Sequence, residues 1–165
     1  MLKELFIRDF IIVETLDLSF ESGFTVFTGE TGAGKSILID ALGLILGARA
    51  DTDVVRNGAT RAEMSATFDI SPSALKWLTD QSIDTDSNEV VLRRVLDPQG
   101  RNKAYINGSP ATLTQLRELG ELLVDIHGQH AHQSLLKEDF QRDMLDSQGN
   151  LLPERQKVKE AWQHW

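Results

Sequence analysis

The stretch Gly29-Glu30-Thr31-Gly32-Ala33-Gly34-Lys35-Ser36 constrains this chain more than any other feature. It fulfils the pattern Gly-x-x-x-x-Gly-Lys-Ser/Thr, which has meaning only between a strand and the head of a helix. Both flanks are of the right kind. Residues 24–28 (FTVFT) are β-rich with apolar side chains on both faces, which reads as a short strand buried within a sheet. Residues 35–46 are apolar nearly all round and stop at Gly47, the pattern of a helix covered on most sides. Glycines at 29, 32 and 34 let the backbone bend tightly and turn its N–H groups toward phosphate oxygens. The helix start adds unpaired amides and the positive end of its dipole. Lys35 then reaches the β- and γ-phosphates, and the Ser36 hydroxyl is placed to ligate Mg²⁺. The segment 29–36 therefore reads as a site for a nucleoside triphosphate.

The base is selected elsewhere. A guanine reader needs Asn-Lys-x-Asp, whereas Asn102-Lys103-Ala104-Tyr105 carries Tyr105 at the aspartate position and lies in a predicted hairpin, which favours ATP. The 165 residues, 41% hydrophobic and 25% charged, suit one globular domain. A net charge of -8 disfavours a broad basic footprint for nucleic acid but leaves room for a local patch. With no cysteine there is neither a disulfide framework nor a thiolate metal site. No apolar run approaches the roughly 20 residues that span a bilayer, and MLKELFIRDF lacks the features of a secretion signal. The expectation is a cytoplasmic domain with no membrane partner.

Period-two patterning predicts strands over about 2–9 and 12–20, and a further strand over 62–70. Ser71-Pro72 opens a helix through Leu78, because proline tolerates the first helical turn. Residues 80–88 form a polar loop. Two β-rich runs, 89–96 and 101–106, flank Asp97-Pro98-Gln99-Gly100, a turn sequence, and a second turn follows at Asn107-Gly108. A helix over about 112–120 leads into Leu122-Leu123-Val124, read as a strand. After Pro153 the residues favour helix, and Leu151, Val158, Trp162 and Trp165 begin a heptad seam or line an amphipathic surface helix.

Further candidates for chemistry lie beyond the glycine-rich loop. His127, His130 and His132 invite a metal reading, but loop histidines with one nearby carboxylate and no cysteine more often form surface hydrogen bonds than hold zinc. A glutamine of the same loop, at a strand end facing nucleotide, can ligate Mg²⁺ or orient the attacking water. Asp125 follows a short apolar run like a Walker B aspartate, yet no glutamate comes after it. Arg93, Arg94, Arg101 and Lys103 concentrate charge at the hairpin. A solvated strand face is the commoner explanation of such a cluster than a phosphate-contacting surface. One of Arg49, Arg56 and Arg61 could approach the nucleotide. Phe68 and Trp77 read as core residues.

Three segments together carry a resemblance to a known family: the opening Leu2-x-x-Leu5-x-Ile7-Arg8-Asp9-Phe10, the run from Phe24 to Ser36, and Ile126-His127-Gly128-Gln129-His130-Ala131-His132-Gln133. They resemble the bacterial RecN family of DNA repair proteins, SMC-like members of the ABC ATPase superfamily, and 100–108 (GRNKAYING) fits the same likeness. The resemblance implies an α/β P-loop fold of the ABC/SMC head type, with a mixed sheet around the P-loop helix. It implies a head lobe over 1–149 and a helix over 150–165 that begins a coiled coil. Gln129 becomes the Q-loop residue and a second Mg²⁺ ligand, with Gln133 as the alternative. Partners implied are a second lobe bearing signature and Walker B motifs, a second head in a head-to-head ATP sandwich, and DNA near double-strand breaks. No signature-like segment occurs in the 165 residues, so the chain alone is expected to bind ATP without turning it over. The nucleotide-binding domain of another ABC ATPase and a non-catalytic nucleotide-binding fragment are the competing readings.

Overall fold

The computed structural model describes residues 1–28, 34–51, 53–85, 87–124, 126, 141–142, 145–146, 148–149 and 151–163. The chain divides into two compact units, Met1–Val124 and Asp125–Trp165. In the first, strands β1 (Leu2–Phe10), β2 (Val13–Ser19), β3 (Ala62–Asp69), β4 (Glu89–Leu96), β5 (Lys103–Ile106) and β6 (Ser109–Ala111) form one sheet in the order β2-β1-β3-β4-β5-β6. Helices α1 (Gly34–Ile45), α2 (Pro72–Asp80) and α3 (Leu113–Leu123) complete the unit. In the second unit, α4 (Leu152–Gln163) follows a turn in which the Leu151 amide donates to the Asp146 carbonyl at 2.7 Å.

Alternation along the strands builds two unlike faces. Leu5 and Ile7 of β1, Ala62, Met64, Ala66 and Phe68 of β3, and Val90, Leu92 and Leu96 of β4 are all buried. Register brings these residues side by side, Ile7 beside Met64, Ala66 beside Leu92 and Leu92 beside Ile106. Helix α1 rests on β3 and β4, while α3 lies against β5 and α2. The opposite face is polar and laced across strands. Glu63 accepts from Arg93 Nε at 2.7 Å and from Arg8 Nη2 at 2.8 Å, and the Arg93 guanidinium sits 5.4 Å from the centre of the Tyr105 ring. Such cross-strand pairs are the local unit of sheet stabilisation.

Lys3 on β1 donates to Glu89 Oε1 at 2.6 Å and lies 3.4 Å from Asp69. The bond to Glu89, followed by the charge of Asp69, raises its pKa above lysine's ordinary value. A raised pKa stabilises the fold at every pH below that ordinary value, and the contribution disappears as pH climbs through the raised one. Lys3→Met is therefore expected to lower the melting temperature at neutral pH, with a deficit that narrows in strong alkali. A deficit unchanged across that range, followed by thermal melts, would count against the ion pair.

Several sequence expectations change. The expected mixed sheet is, over the described residues, wholly antiparallel. Residues 24–28, expected as a buried strand, form no ladder among the described residues and lie at the surface, with Phe24 92% and Val26 63% exposed and Phe27 resting on Phe20. Their apolar two-faced pattern finds no neighbouring strand among the described residues. Leu122 and Leu123, expected in a strand, are instead the last turn of α3, because a short apolar run fits a helix end equally well. The hairpin arginines do not form one surface. Arg94 is 1% exposed and on the core face, while Arg93 is on the other, as successive strand residues must be. Sequence reading also passed over β6, which the Asn107-Gly108 turn creates, with both residues at positive φ (+48° and +81°).

Candidate functional site

Helix α1 owes its position to its apolar stripe. Ile37, Ala41, Leu42, Leu44 and Ile45 are buried against the sheet, so the helix is held along one side. Its carboxyl end is held more firmly still. Arg94 Nη1 donates to the Leu44 carbonyl at 2.8 Å and the Ala48 carbonyl at 3.3 Å, and Arg117 Nη2 donates to the Gly47 carbonyl at 3.3 Å. Helix-terminal carbonyls have no intrahelical partners, and cations there also oppose the negative dipole end.

The amino end lies at the surface. Gly34, Lys35 and Ser36 are all exposed, and there is no acidic side chain in the first turn. A Cβ built on Gly34 would meet nothing within 4 Å. The start of α1, with Gly34 and Lys35, lines a groove of about 520 Å³. That groove is walled by Val13, Leu16 and Leu18 of β2, by Phe27 and Thr28, and by Lys35. The rings of Phe20 and Phe27 meet edge to face at 6.1 Å, which sets the chain leading into the loop against the end of β2. This donor set fits a polyphosphate with its Mg²⁺: a helix start, an ammonium and a hydroxyl, with no carboxylate in the first helical turn to repel the ligand.

Of the sequence-expected site residues, the structure places Gly34, Lys35 and Ser36 together at this helix start. Gly29, Glu30, Thr31, Gly32 and Ala33 lie outside the described residues, as do Asp125, His127, His130, His132, Gln129 and Gln133. Arg56 is engaged elsewhere, 3.7 Å from Asp9 and 3.3 Å from Glu14, and Arg61 lies 3.8 Å from Glu63. Phe68 is core, as expected, whereas Trp77 is half-buried and donates through Nε1 to Glu118. Sequence reasoning missed the role of Arg94 as the clamp on α1. The signal was present, because the even positions of β4 read Val90, Leu92, Arg94, Leu96 and so put the arginine in an apolar row.

The profile of the AAA domain family matches residues 4–163. The chain belongs to the AAA domain family. Membership implies a nucleotide-binding fold. This AAA domain is 47% identical over 167 residues to the DNA repair protein RecN of Vibrio cholerae, covering 100% of the chain and 30% of that protein. It is 43% identical over 148 residues to RecN of Bacillus subtilis, covering 88% of the chain and 26% of the relative. The AAA domain thus spans about 30% of the length of the curated relatives that it matches end to end. Among solved structures it superposes on an SMC ATPase from work on ATP-driven dimerization and DNA-stimulated activation. The TM-score is 0.61 at 22% identity, over 88% of this chain and 97% of that one. An SMC head bound to the C-terminal winged-helix domain of ScpA gives a TM-score of 0.57 at 27% identity, over 72% and 39%. The fold is thus α/β, of the P-loop ATPase head type. Among the described residues no helix is long and apolar enough to cross a membrane.

Proposed function

We propose that this chain is the ATP-binding lobe of a RecN-like SMC-family ATPase acting in recombinational repair of DNA double-strand breaks. One observation carries the reading. The start of α1, which carries Lys35 and Ser36 at its surface, belongs to a chain that matches RecN proteins along the whole of its own 165 residues. In this reading residues 29–36 wrap the phosphates of ATP, Lys35 neutralises the β- and γ-phosphates, and Ser36 with Gln129 ligates Mg²⁺. The bound metal supplies charge neutralisation at the γ-phosphate. The side chains of this chain bind and orient the nucleotide.

The lobe covers 1–149, and 150–165 begin a coiled coil. The exposure of Leu151, Val158 and Trp162 supports that division, since an apolar line on a polar helix invites a second helix. The exposed run 24–28 supports a second lobe as partner, because strand-forming apolar residues left unpaired on a surface are a template for another strand. Hydrolysis then belongs to the completed head, two heads closing on two ATP molecules, with DNA engaged by the whole protein in the cytoplasm and on the nucleoid.

The expected result is that the purified chain binds Mg-ATP yet releases phosphate at a negligible steady-state rate. Turnover appears when a lobe bearing signature and Walker B motifs is added. A robust rate from the chain alone, lost in Lys35→Ala, would show instead that the 165 residues are a complete enzyme.

A further inference from the structure

Asparagine is followed by glycine at two places, Asn57-Gly58 and Asn107-Gly108. An asparagine in that setting can react with its own main chain, because glycine has no Cβ to shield its nitrogen from the preceding carboxamide carbon. The two places resemble each other locally. Each glycine is at positive φ, +85° at Gly58 and +81° at Gly108, and a Cβ built on either would meet nothing within 4 Å. They differ in what holds the asparagine.

Asn107 is held at both ends of its carboxamide. Its Oδ1 accepts from the Val91 amide at 2.9 Å, and its Nδ2 donates to the Asp84 carbonyl at 2.9 Å. Its own main-chain amide donates to the Val91 carbonyl at 2.9 Å. Turning that carboxamide onto the Gly108 nitrogen breaks both side-chain bonds. Asn57 is exposed, and its carboxamide has no hydrogen-bond partner among the described residues. The turn around it is closed by main-chain atoms, the Ala59 amide donating to the Arg56 carbonyl at 3.0 Å. Its side chain is therefore free to rotate onto the Gly58 nitrogen.

We infer that Asn57 is a site of spontaneous deamidation in the folded chain, and that Asn107, in the same dipeptide, is protected by its bonds to β4 and to the loop before it. The Gly58 nitrogen, having lost its proton to base, bonds to Asn57 Cγ. The Cγ–Nδ2 bond breaks, and Nδ2 departs as ammonia. Water then opens the resulting five-membered imide at either carbonyl, which yields aspartate or isoaspartate, the latter with its main chain routed through Cγ. Either product adds one negative charge. Isoaspartate also adds one carbon to the main chain inside the turn from Arg56 to Ala59. That turn has a structural duty, since the Arg56 amide donates to the Asp9 carbonyl at 2.9 Å and so holds the β1–β2 tip. The inference is independent of the function proposed above.

The test incubates the 165-residue chain at mildly alkaline pH, folded and in denaturant, and follows both asparagines by peptide mapping with mass spectrometry. In the folded chain Asn57 is expected to convert at least about tenfold faster than Asn107, because local opening must first break the two bonds of the Asn107 carboxamide. In denaturant the two rates are expected to converge to within about threefold, because those bonds are lost on all-or-none unfolding. A smaller folded-state ratio overturns the inference, and so does an intact Asn57 in a folded chain whose denatured counterpart converts. A tenfold ratio that persists in denaturant also overturns it, since sequence and not fold would then be the cause. The isoaspartate form, separated by ion exchange, is expected to melt below the Asn57→Asp variant, which carries the same charge on an unaltered main chain. Equal melting would overturn the duty given to the turn.

Discussion

Replacing Lys35 with alanine is expected to weaken Mg-ATP at least 100-fold, to below detection by calorimetry, while leaving the fold as it was. The two halves of that expectation have separate causes. Lys35 is exposed at the first turn of α1, so no core packing is lost with it, and alanine is a better helix former than lysine. A surface change of this kind alters stability by about 0.5 kcal/mol or less, which for a domain of this size moves the melting temperature by roughly 1–2 °C. The loss of affinity follows from removing an ammonium that meets two phosphate groups through charge-assisted bonds, at about 1.4 kcal/mol for each tenfold change. Unchanged Mg-ATP affinity in a normally melting variant would refute the assignment of 29–36 as the nucleotide loop. A variant that lost binding because it had unfolded would show itself in the melt.

The second large effect is structural, and Gly47 is its site. This glycine follows the end of α1 with φ +93°, a conformation that side chains rarely adopt. A Cβ built there would lie 2.7 Å from the Leu113 carbonyl oxygen and 2.9 Å from the Arg117 amide nitrogen. Both are main-chain atoms of α3, with no rotamer by which to escape. Gly47→Ala thus combines backbone strain with overpacking, each of order 1–3 kcal/mol. Together they outweigh the gain of up to ~1 kcal/mol that alanine confers by restricting the unfolded chain. We expect a destabilisation of about 3–5 kcal/mol and a melting temperature lower by roughly 10–15 °C. Gly43, in the last turn of the same helix, is the matched control. A Cβ there meets nothing within 4 Å, so Gly43→Ala is expected to stabilise by about 0.5–1 kcal/mol. If the two variants melted alike, the close approach of α3 to the end of α1 would be disproved.

Features encoded by local chemistry were legible before any coordinates. Ser71-Pro72 opens α2 as expected, with Ser71 capping it through a bond from the Ala74 amide, whereas the capping box of Thr112 and Gln115 at the head of α3 went unread. Asp97-Pro98-Gln99-Gly100 and Asn107-Gly108 turn the chain as their residue types require. What escaped was set by partners distant in sequence. Asp9 and Ile11 hold positive φ at the tip of the β1–β2 hairpin, an unfavourable state for a β-branched isoleucine. Bonds from the Ile11 amide to the Val54 carbonyl and from the Arg56 amide to the Asp9 carbonyl secure it. No local pattern announces such a bond. Residues 24–28 show the same lesson in reverse, since their composition asks for a sheet that the described residues do not supply. At the candidate site, the helix start with Lys35 and Ser36 was readable from spacing alone. Its fixation by Arg94 and Arg117 depended on carbonyls some 46–70 residues away in sequence.

The exposed part of the run 24–28 has a practical consequence. Five residues of strand-forming character, two of them phenylalanine and none charged, are the composition that seeds cross-β association between identical molecules. A chain carrying that strip is expected to self-associate in concentrated solution, which light scattering against concentration checks. Co-expression with a complementary strand, or a lysine written into the strip, is the route to a preparation that stays monodisperse.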